Sequence, residues 1–542
     1  MKLNLTITRP VLRILLVSAV SVGVFTGMTM IIPWEKNTGI DVALDLTDYS
    51  MPWTNNSPFY PSEWKTEGDK LIDWRGVPSA TFCAECHEKE YKEWASSIHA
   101  ITGPDVLYEN TITKNELGSE HGGDLATEKV RWCDGCHEPL GILAGEGTPL
   151  PIVGPNEALE EGTTCIVCHT AVAARPLIGN GALTVKFNEM HRYLDPALIM
   201  AAPEEHAKAM QAKSHNPLMG KSDLCGSCHT EIRPTRVNGN FPMHLQETFD
   251  EWRLSDYAEE GIQCQDCHMH PDPGEYVESL KRGERPKRVV SHRFVGVNYV
   301  LTAADRLREK LAELRGGWVP GRNVFITGDE WLESLQKQQD LIVKLLKSAG
   351  DIKINPKSSM NGNAQLDVVV TNTGAGHYLP TGVLDQRHMW IEVIAKNADD
   401  KVVYNNGWFD DKKGEIDPEA AIYIKRLVND DGSANTRHVL FDARGGTYER
   451  HPIRPKESDT VPYNIPLPPG FRGPLKVEAK LWYRMALQDL LKNTKEYQDP
   501  PLSFDIEEFI VPRILMVETS TEMEVFTKTA SLKGGKGDEQ YN

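Results

Sequence analysis

The sequence predicts a multi-domain protein in which a mostly α-helical, loop-rich domain precedes a β-sandwich. Three observations lead there. The chain has 542 residues, more than one hydrophobic core organises. Its ten cysteines all lie between Cys83 and Cys267, so one stretch carries a chemistry that the rest lacks. Near residue 350 the apolar period changes, from helical spacing before it to alternation after it.

The N-terminal segment, 1–33, carries Lys2, Arg9 and Arg13 and then an uncharged run from Ile14 to Pro33. Twenty helical residues cross a hydrocarbon core of about 30 Å. The basic flank places the N-terminus in the cytoplasm and exports the rest, so 1–33 is expected to be a membrane anchor on the periplasmic side of the inner membrane. A signal peptide, cleaved to leave a secreted protein, is the alternative. Residues 34–75 read as a polar linker containing Trp34, Trp53, Trp64 and Trp74. The Pro/Gly-rich stretch 76–300 contains a short internal echo. Tyr91–Ala100 aligns with Phe249–Ala258, both reading as helices, and His99 falls on Tyr257. Gly-x-x-Cys-x-x-Cys-His recurs at Gly162 and Gly261.

Residues 301–350 form a helical connector. Thr327 or Asp329 caps a helix whose apolar face holds Trp331, Leu335, Leu341, Ile342 and Leu345, and Gly350 stops it. From 351 to 527 the segments Gln365–Thr371, His388–Ala395, Lys401–Tyr404 and Lys476–Trp482 read as strands between Gly, Pro and Asn turns, which predicts the sandwich. The tail, 528–542, reads as disordered.

The cysteines form five pairs, each spaced Cys-x-x-Cys and each followed by His. They are Cys83, Cys86 and His87; Cys133, Cys136 and His137; Cys165, Cys168 and His169; Cys225, Cys228 and His229; Cys264, Cys267 and His268. Cys-x-x-Cys-His attaches c-type haem: two thiols add to the vinyl groups and the adjacent imidazole becomes the proximal iron ligand. Zinc ribbons or disulfides are the alternatives, but neither requires a histidine after every pair. A chance match at all five is on the order of 1 in 10⁷. Five covalently bound c-type haems are therefore expected. Export agrees with this, because an oxidising compartment leaves no spare thiol idle.

Twelve of the 17 histidines remain for the opposite, distal side of the irons. The candidates are His99, His191, His215, His244 and His292, with His121, His206 and His377 in reserve. His270 lies too close to His268, while His388, His438 and His451 read as ordinary strand or loop residues. If Lys89–His99 is helical, His99 stands about 18 Å along the axis from His87. Two axial ligands of one iron have nitrogens only about 4 Å apart. His99 is thus expected to serve a different haem. Methionine is the rival distal ligand and would raise the potential.

Lys and Arg number 59 against 77 Asp and Glu, for a net charge of −18, which excludes nucleic acid as a partner. Within this acidic chain Lys281, Arg282, Arg285, Lys287, Arg288 and Arg293 form a basic run, either a solvated loop or a surface for propionates or an acidic redox partner. Asn372–Gly382 is turn-rich and holds His377. It is expected to be a shaped loop of the sandwich, with a donation of His377 to an iron as the alternative.

The motif order, the Glu93-Trp94 and Glu251-Trp252 helices, Cys267-His268-Met269 and His292–Gly296 resemble the multihaem c-type cytochromes over roughly 80–300. That superfamily includes hydroxylamine oxidoreductase, the pentahaem nitrite reductases and the tetrahaem carriers of ammonia oxidisers. The C-terminal part, with Gly374–Gly382 and Leu481–Arg484, resembles a β-domain appended to some bacterial multihaem cytochromes. The resemblance implies stacked, largely bis-histidine haems in a mostly helical domain, with His99, His215 and His292 the best distal matches. The Cys-x-x-Cys-Lys of the nitrite reductases does not occur, and the haem count falls short of hydroxylamine oxidoreductase, so neither catalytic signature transfers. The expected function is electron relay between a quinol-side donor and a periplasmic or outer-membrane acceptor, with no catalytic residue assigned. Two alternatives stand: a reductase of small nitrogen or sulfur oxyanions at one open haem, and a haem-bearing subunit of a larger respiratory or extracellular conducting assembly.

Overall fold

The computed structural model describes residues 57–103, 108, 124–146, 157–187, 195–233, 243–299, 328–360, 362–440, 443–491 and 510–526. The expected anchor, the tail, most of the linker, His121 and His191 lie outside them. None of the described helices is long and apolar enough to cross a membrane.

Short helices dominate up to Lys281. They are α1 Ala80–Ala84, α2 Glu88–Ala95, α3 Asp124–His137, α4 Pro139–Ala144, α5 Cys165–His169, α6 Pro196–Ala201 and α7 Pro203–Ala209. There follow α8 Ser222–Gly226, α9 Thr248–Arg253, α10 Asp256–Glu259, α11 Cys264–His268 and α12 Pro273–Lys281. Helices of five residues have too few internal hydrogen bonds to stand alone. Here they are held from outside. Ser79 caps α1 by accepting from Thr81 N, and Gln263 with Asp266 makes a reciprocal capping box on α11. Long loops and two small sheets interleave them, β1 Lys65–Thr66 with β2 Ala171–Ala174 and β3 Leu183–Val185, and β4 Glu231–Arg233 with β5 Met243–Gln246.

Two local expectations change. The helix expected to run through His99 stops at Ala95, and His99 sits on the separate 3₁₀ turn Ile98–Ile101. Ser96 and Ser97 lie between, residues that compete for backbone hydrogen bonds and favour helix ends. The described part of the linker is not a tether. Phe59, Trp64, Leu71 and Ile72 are buried in a core with Leu140, Ile142, Leu143 and Ile166, and Trp64 Nε1 donates to Gly135 O at 2.6 Å.

The described part of the connector is α13, Gly328–Ala349, and β6 begins at Gly350, where the sequence places the helix stop; residues 301–327 of the connector, with Thr327, lie outside the described residues. Trp331, Leu335, Ile342, Leu345 and Leu346 form its buried stripe. Beyond it, β6 Gly350–Met360 and β16 Ser458–Pro466 flank β7 Asn363–Asn372 in an antiparallel sheet. A larger sheet runs in the order β12 Ala421–Tyr423, β8 His388–Lys396, β17 Arg472–Arg484 and β18 Arg513–Phe526, with β9 Val402–Asn406 also on β8. Period-two residues fill the space between the sheets: Leu366, Val368 and Val370 from β7, Val477, Ala479 and Leu481 from β17. Two further antiparallel pieces complete the region, the pair β10 Phe409–Asp410 with β11 Glu415–Ile416, and a sheet of β13 Lys425–Asn429, β14 Ala434–Asn435 and β15 Ala443–Tyr448.

The sheets and the helical region share one core. Tyr91 and Trp94 of α2 lie in the same apolar cluster as α13 and the two large sheets. A second contact joins Trp132 and Leu245 to Leu427, Leu440 and Ala443. This continuity fixes loops of the C-terminal region against the cysteine motifs.

Candidate haem centres

Each motif sits on or beside a single helical turn. Cys165–His169 and Cys264–His268 are whole helices, α5 and α11; Cys133–His137 ends α3; Cys83 and Cys225 lie on α1 and α8. On a helix, residues three apart share a face, so one turn presents both thiols to the same side. None of the ten cysteines is paired in a disulfide. Among the described residues no group of three or more His, Cys, Asp or Glu side chains converges as a metal-ion site, which is what a zinc ribbon would need.

Three pairs of imidazoles face one another. His99 and His229 have ring centres 6.3 Å apart, His169 and His292 6.4 Å, and His268 and His377 6.1 Å. The last two pairs are near-parallel, at 24° and 15°. Rings in contact would stack closer. An iron held between two imidazole nitrogens at about 2 Å each sets the ring centres about 6.3 Å apart. The pairs therefore fit an iron porphyrin between them.

The ring nitrogens agree. Nδ1 of His137 donates to Thr102 O (2.9 Å), that of His169 to Met210 O (3.0 Å) and that of His268 to Val295 O (2.7 Å). Such bonds fix the tautomer and leave Nε2 as the free ligand atom. His229 Nδ1 meets Gln246 Nε2 at 3.1 Å. His292 Nδ1 is buried with no hydrogen-bond partner. Burial keeps these imidazoles neutral, the form that binds metal: His99 is held down to about 3, and His137, His229 and His377 to about 4, desolvation being the main cause in each.

The motifs are also neighbours in space. The thiols of Cys83 and Cys165 lie within hydrogen-bond reach of each other, as do those of Cys225 and Cys264. Cys136 is most affected by Cys228, whose carbonyl accepts from its Sγ at 3.9 Å. Motif one thus adjoins motif three, and motif four adjoins both two and five.

The structure brings His99 and His292 into facing pairs, and His99 faces a haem motif other than its own neighbour. It does not bring His215 or His244 into such a pair among the described residues. His215 Nε2 meets Glu204 at 2.9 Å and His244 Nδ1 meets Glu247 at 3.5 Å, both at the surface. His377, held in reserve, takes a facing place instead. His206 lies on α7, and His270 Nδ1 is engaged with Asp272 O at 2.7 Å. His438 Nδ1 pairs with Asp385 at 2.8 Å and influences His137 electrostatically. The basic run is largely spent on internal ion pairs: Arg282 with Glu275 and Glu284, Arg285 with Glu260, Arg288 with Asp266. Arg293 is buried against Ser96 and Ser334.

A family model described as cytochrome c554 and c-prime matches residues 82–170, the span of the first three motifs. No curated protein matches the chain. Among solved structures, the penta-heme cytochrome c552 from Thermochromatium tepidum is similar at 17% identity and a TM-score of 0.49, over 83% of this chain and 99% of that one. The motifs and the family match support a multihaem c-type cytochrome with covalently bound haem.

Proposed function

We propose that the chain is an exported pentahaem cytochrome that relays electrons, tethered to the inner membrane by its N-terminal segment and passing charge from a quinol-side donor to a periplasmic or outer-membrane acceptor. Bound haem supplies one-electron chemistry. The chain's residues supply the rest: ten thiols for attachment, His87, His137, His169, His229 and His268 as proximal ligands, and His99 and His292 as distal ligands at motifs four and three. The carrying observation is the adjacency of the motifs, one to three, two, four and five together, and Cys168 of motif three within electrostatic reach of Cys225 and Cys228 of motif four, which favours a contiguous conduit with motif four as its junction. Buried, paired imidazoles also favour transfer over substrate chemistry, because they occupy positions a substrate would need.

Low-temperature EPR of the oxidised protein tests this. The relay reading expects low-spin ferric signals dominating and no change on adding nitrite or hydroxylamine. A high-spin haem that binds and turns over such a ligand would replace it with the reductase reading. One observation favours that second reading: among the described residues, no imidazole faces His87 or His137 at the spacing of the three pairs.

A further inference from the structure

We infer that His377, carried by the C-terminal sheet region, is the distal ligand at the fifth motif, and that Glu251 is the positioning residue that seats it. The inference rests on the haem reading above. It is carried by a duplicated device in the chain. In the first copy, Trp94 Nε1 donates to Thr163 O at 2.9 Å, two residues before Cys165, while Glu93 accepts from the backbone N–H of His292 at 2.8 Å. His292 faces His169 of that same motif. In the second copy, Trp252 Nε1 donates to Ile262 O at 2.9 Å, two residues before Cys264, while Glu251 accepts from the backbone N–H of Tyr378 at 3.1 Å. Tyr378 follows His377, and His377 faces His268 of that same motif. Each Glu-Trp pair therefore braces one motif with its indole and, with its carboxylate, a backbone N–H of the facing histidine or of the residue that follows it. Both braced turns open on a left-handed glycine, Gly162 at φ 64° and Gly261 at φ 76°.

The histidine loop is built to hold still. Asn372, fully buried, donates to His377 O at 2.8 Å and to Ile453 O at 3.1 Å, and accepts from Ala375 N at 3.0 Å. Nδ1 of His377 is bonded to Tyr378 O at 2.9 Å, leaving Nε2 for the iron. A Cβ at Gly374 would meet Ser348 O at 2.3 Å, so only glycine lets the loop reach the end of α13. Across the joint, Thr381 Oγ1 donates to Glu251 and meets Thr248 Oγ1 at 3.0 Å, and Lys456 reaches Asp256 at 3.0 Å and Glu260 at 3.1 Å. The sheet region is thus a ligand donor to the redox chain and not a detachable docking module.

The test uses full-length holoprotein carrying His377→Ala. Haem content by pyridine haemochrome stays at the wild-type value, about one-fifth of the ferric haem turns from low-spin to high-spin, that haem binds carbon monoxide once dithionite has reduced it, and imidazole added to the oxidised protein restores the low-spin signal. Glu251→Ala gives a partial change of the same kind, which Glu251→Gln rescues because an amide oxygen still accepts from Tyr378 N–H. Should His377→Ala fail to accumulate, His377→Met decides the question, with one haem expected to stay low-spin at a raised midpoint potential. Full haem content with unaltered EPR and potentials in these variants would overturn the inference while leaving the haem reading intact. A wild-type protein without haem would instead sink the haem reading itself.

Discussion

Replacing Glu251 by Gln should flatten the stability of the protein between about pH 5 and about pH 8. Glu251 is 7% exposed, and burial pushes its carboxyl up from 4.5 to about 7, against the opposing hydrogen bonds from Thr381 and Tyr378. The nearby carboxylates Glu247 and Asp250 push the same way. A folded-state value above the unfolded one means that the native protein holds this proton more tightly. The contribution is therefore complete below about pH 4.5, is lost progressively as pH rises to about 7, and does not return above it. At about 1.4 kcal/mol per pH unit, the window is worth about 3 kcal/mol. Thermal unfolding of the wild type and Glu251→Gln, followed by circular dichroism at both pH values, isolates the effect as a difference between the two proteins. The wild type should lose about 2–3 kcal/mol more than the variant on going from acid to base. Equal pH dependence in both would refute the reasoning, because Glu251 would then titrate alike in the folded and unfolded chain.

Three other outcomes follow from the same contacts. Leu335→Ala empties a fully buried site on α13 and should cost about 2–5 kcal/mol in thermal unfolding without changing haem content. His99→Met should leave haem content unchanged and raise one midpoint potential in a redox titration, since His99 faces His229; an unmoved titration curve would remove His99 from the ligand set. Asp266→Ala removes both the capping box on α11 and the partner of Arg288. It should destabilise by about 1–3 kcal/mol, more than Arg288→Ala, which leaves the cap in place.

What could be read from the sequence followed the range of each interaction. The cysteine motifs are local patterns of five residues, and the stop of α13 at Gly350 follows from an apolar stripe within one helix and the glycine that ends it. Strands such as β7 and β17 announced themselves by alternation. The facing histidines are different in kind. His292 meets His169 and His377 meets His268 across more than a hundred residues, and no periodicity or spacing encodes such pairs. His215 looked as good as His99 because both are histidines near short helices; only the fold separates a surface imidazole on Glu204 from one buried against His229. The echo around Trp94 and Trp252 did carry a signal, but its meaning lay in the glutamate before each tryptophan and in the backbone N–H groups of His292 and Tyr378, far along the chain. The basic run likewise takes its meaning from contacts the sequence does not show, since Arg282, Arg285 and Arg288 are paired with Glu275 and Glu284, Glu260 and Asp266.

Intact-mass analysis of the purified protein, paired with its pyridine haemochrome spectrum, decides whether haem is bound at the five motifs. Attachment at all of them gives a polypeptide heavier by five haems, with no thiol left to alkylate after denaturation. A mass without haem, alkylatable cysteines, or bound zinc in place of iron would contradict it.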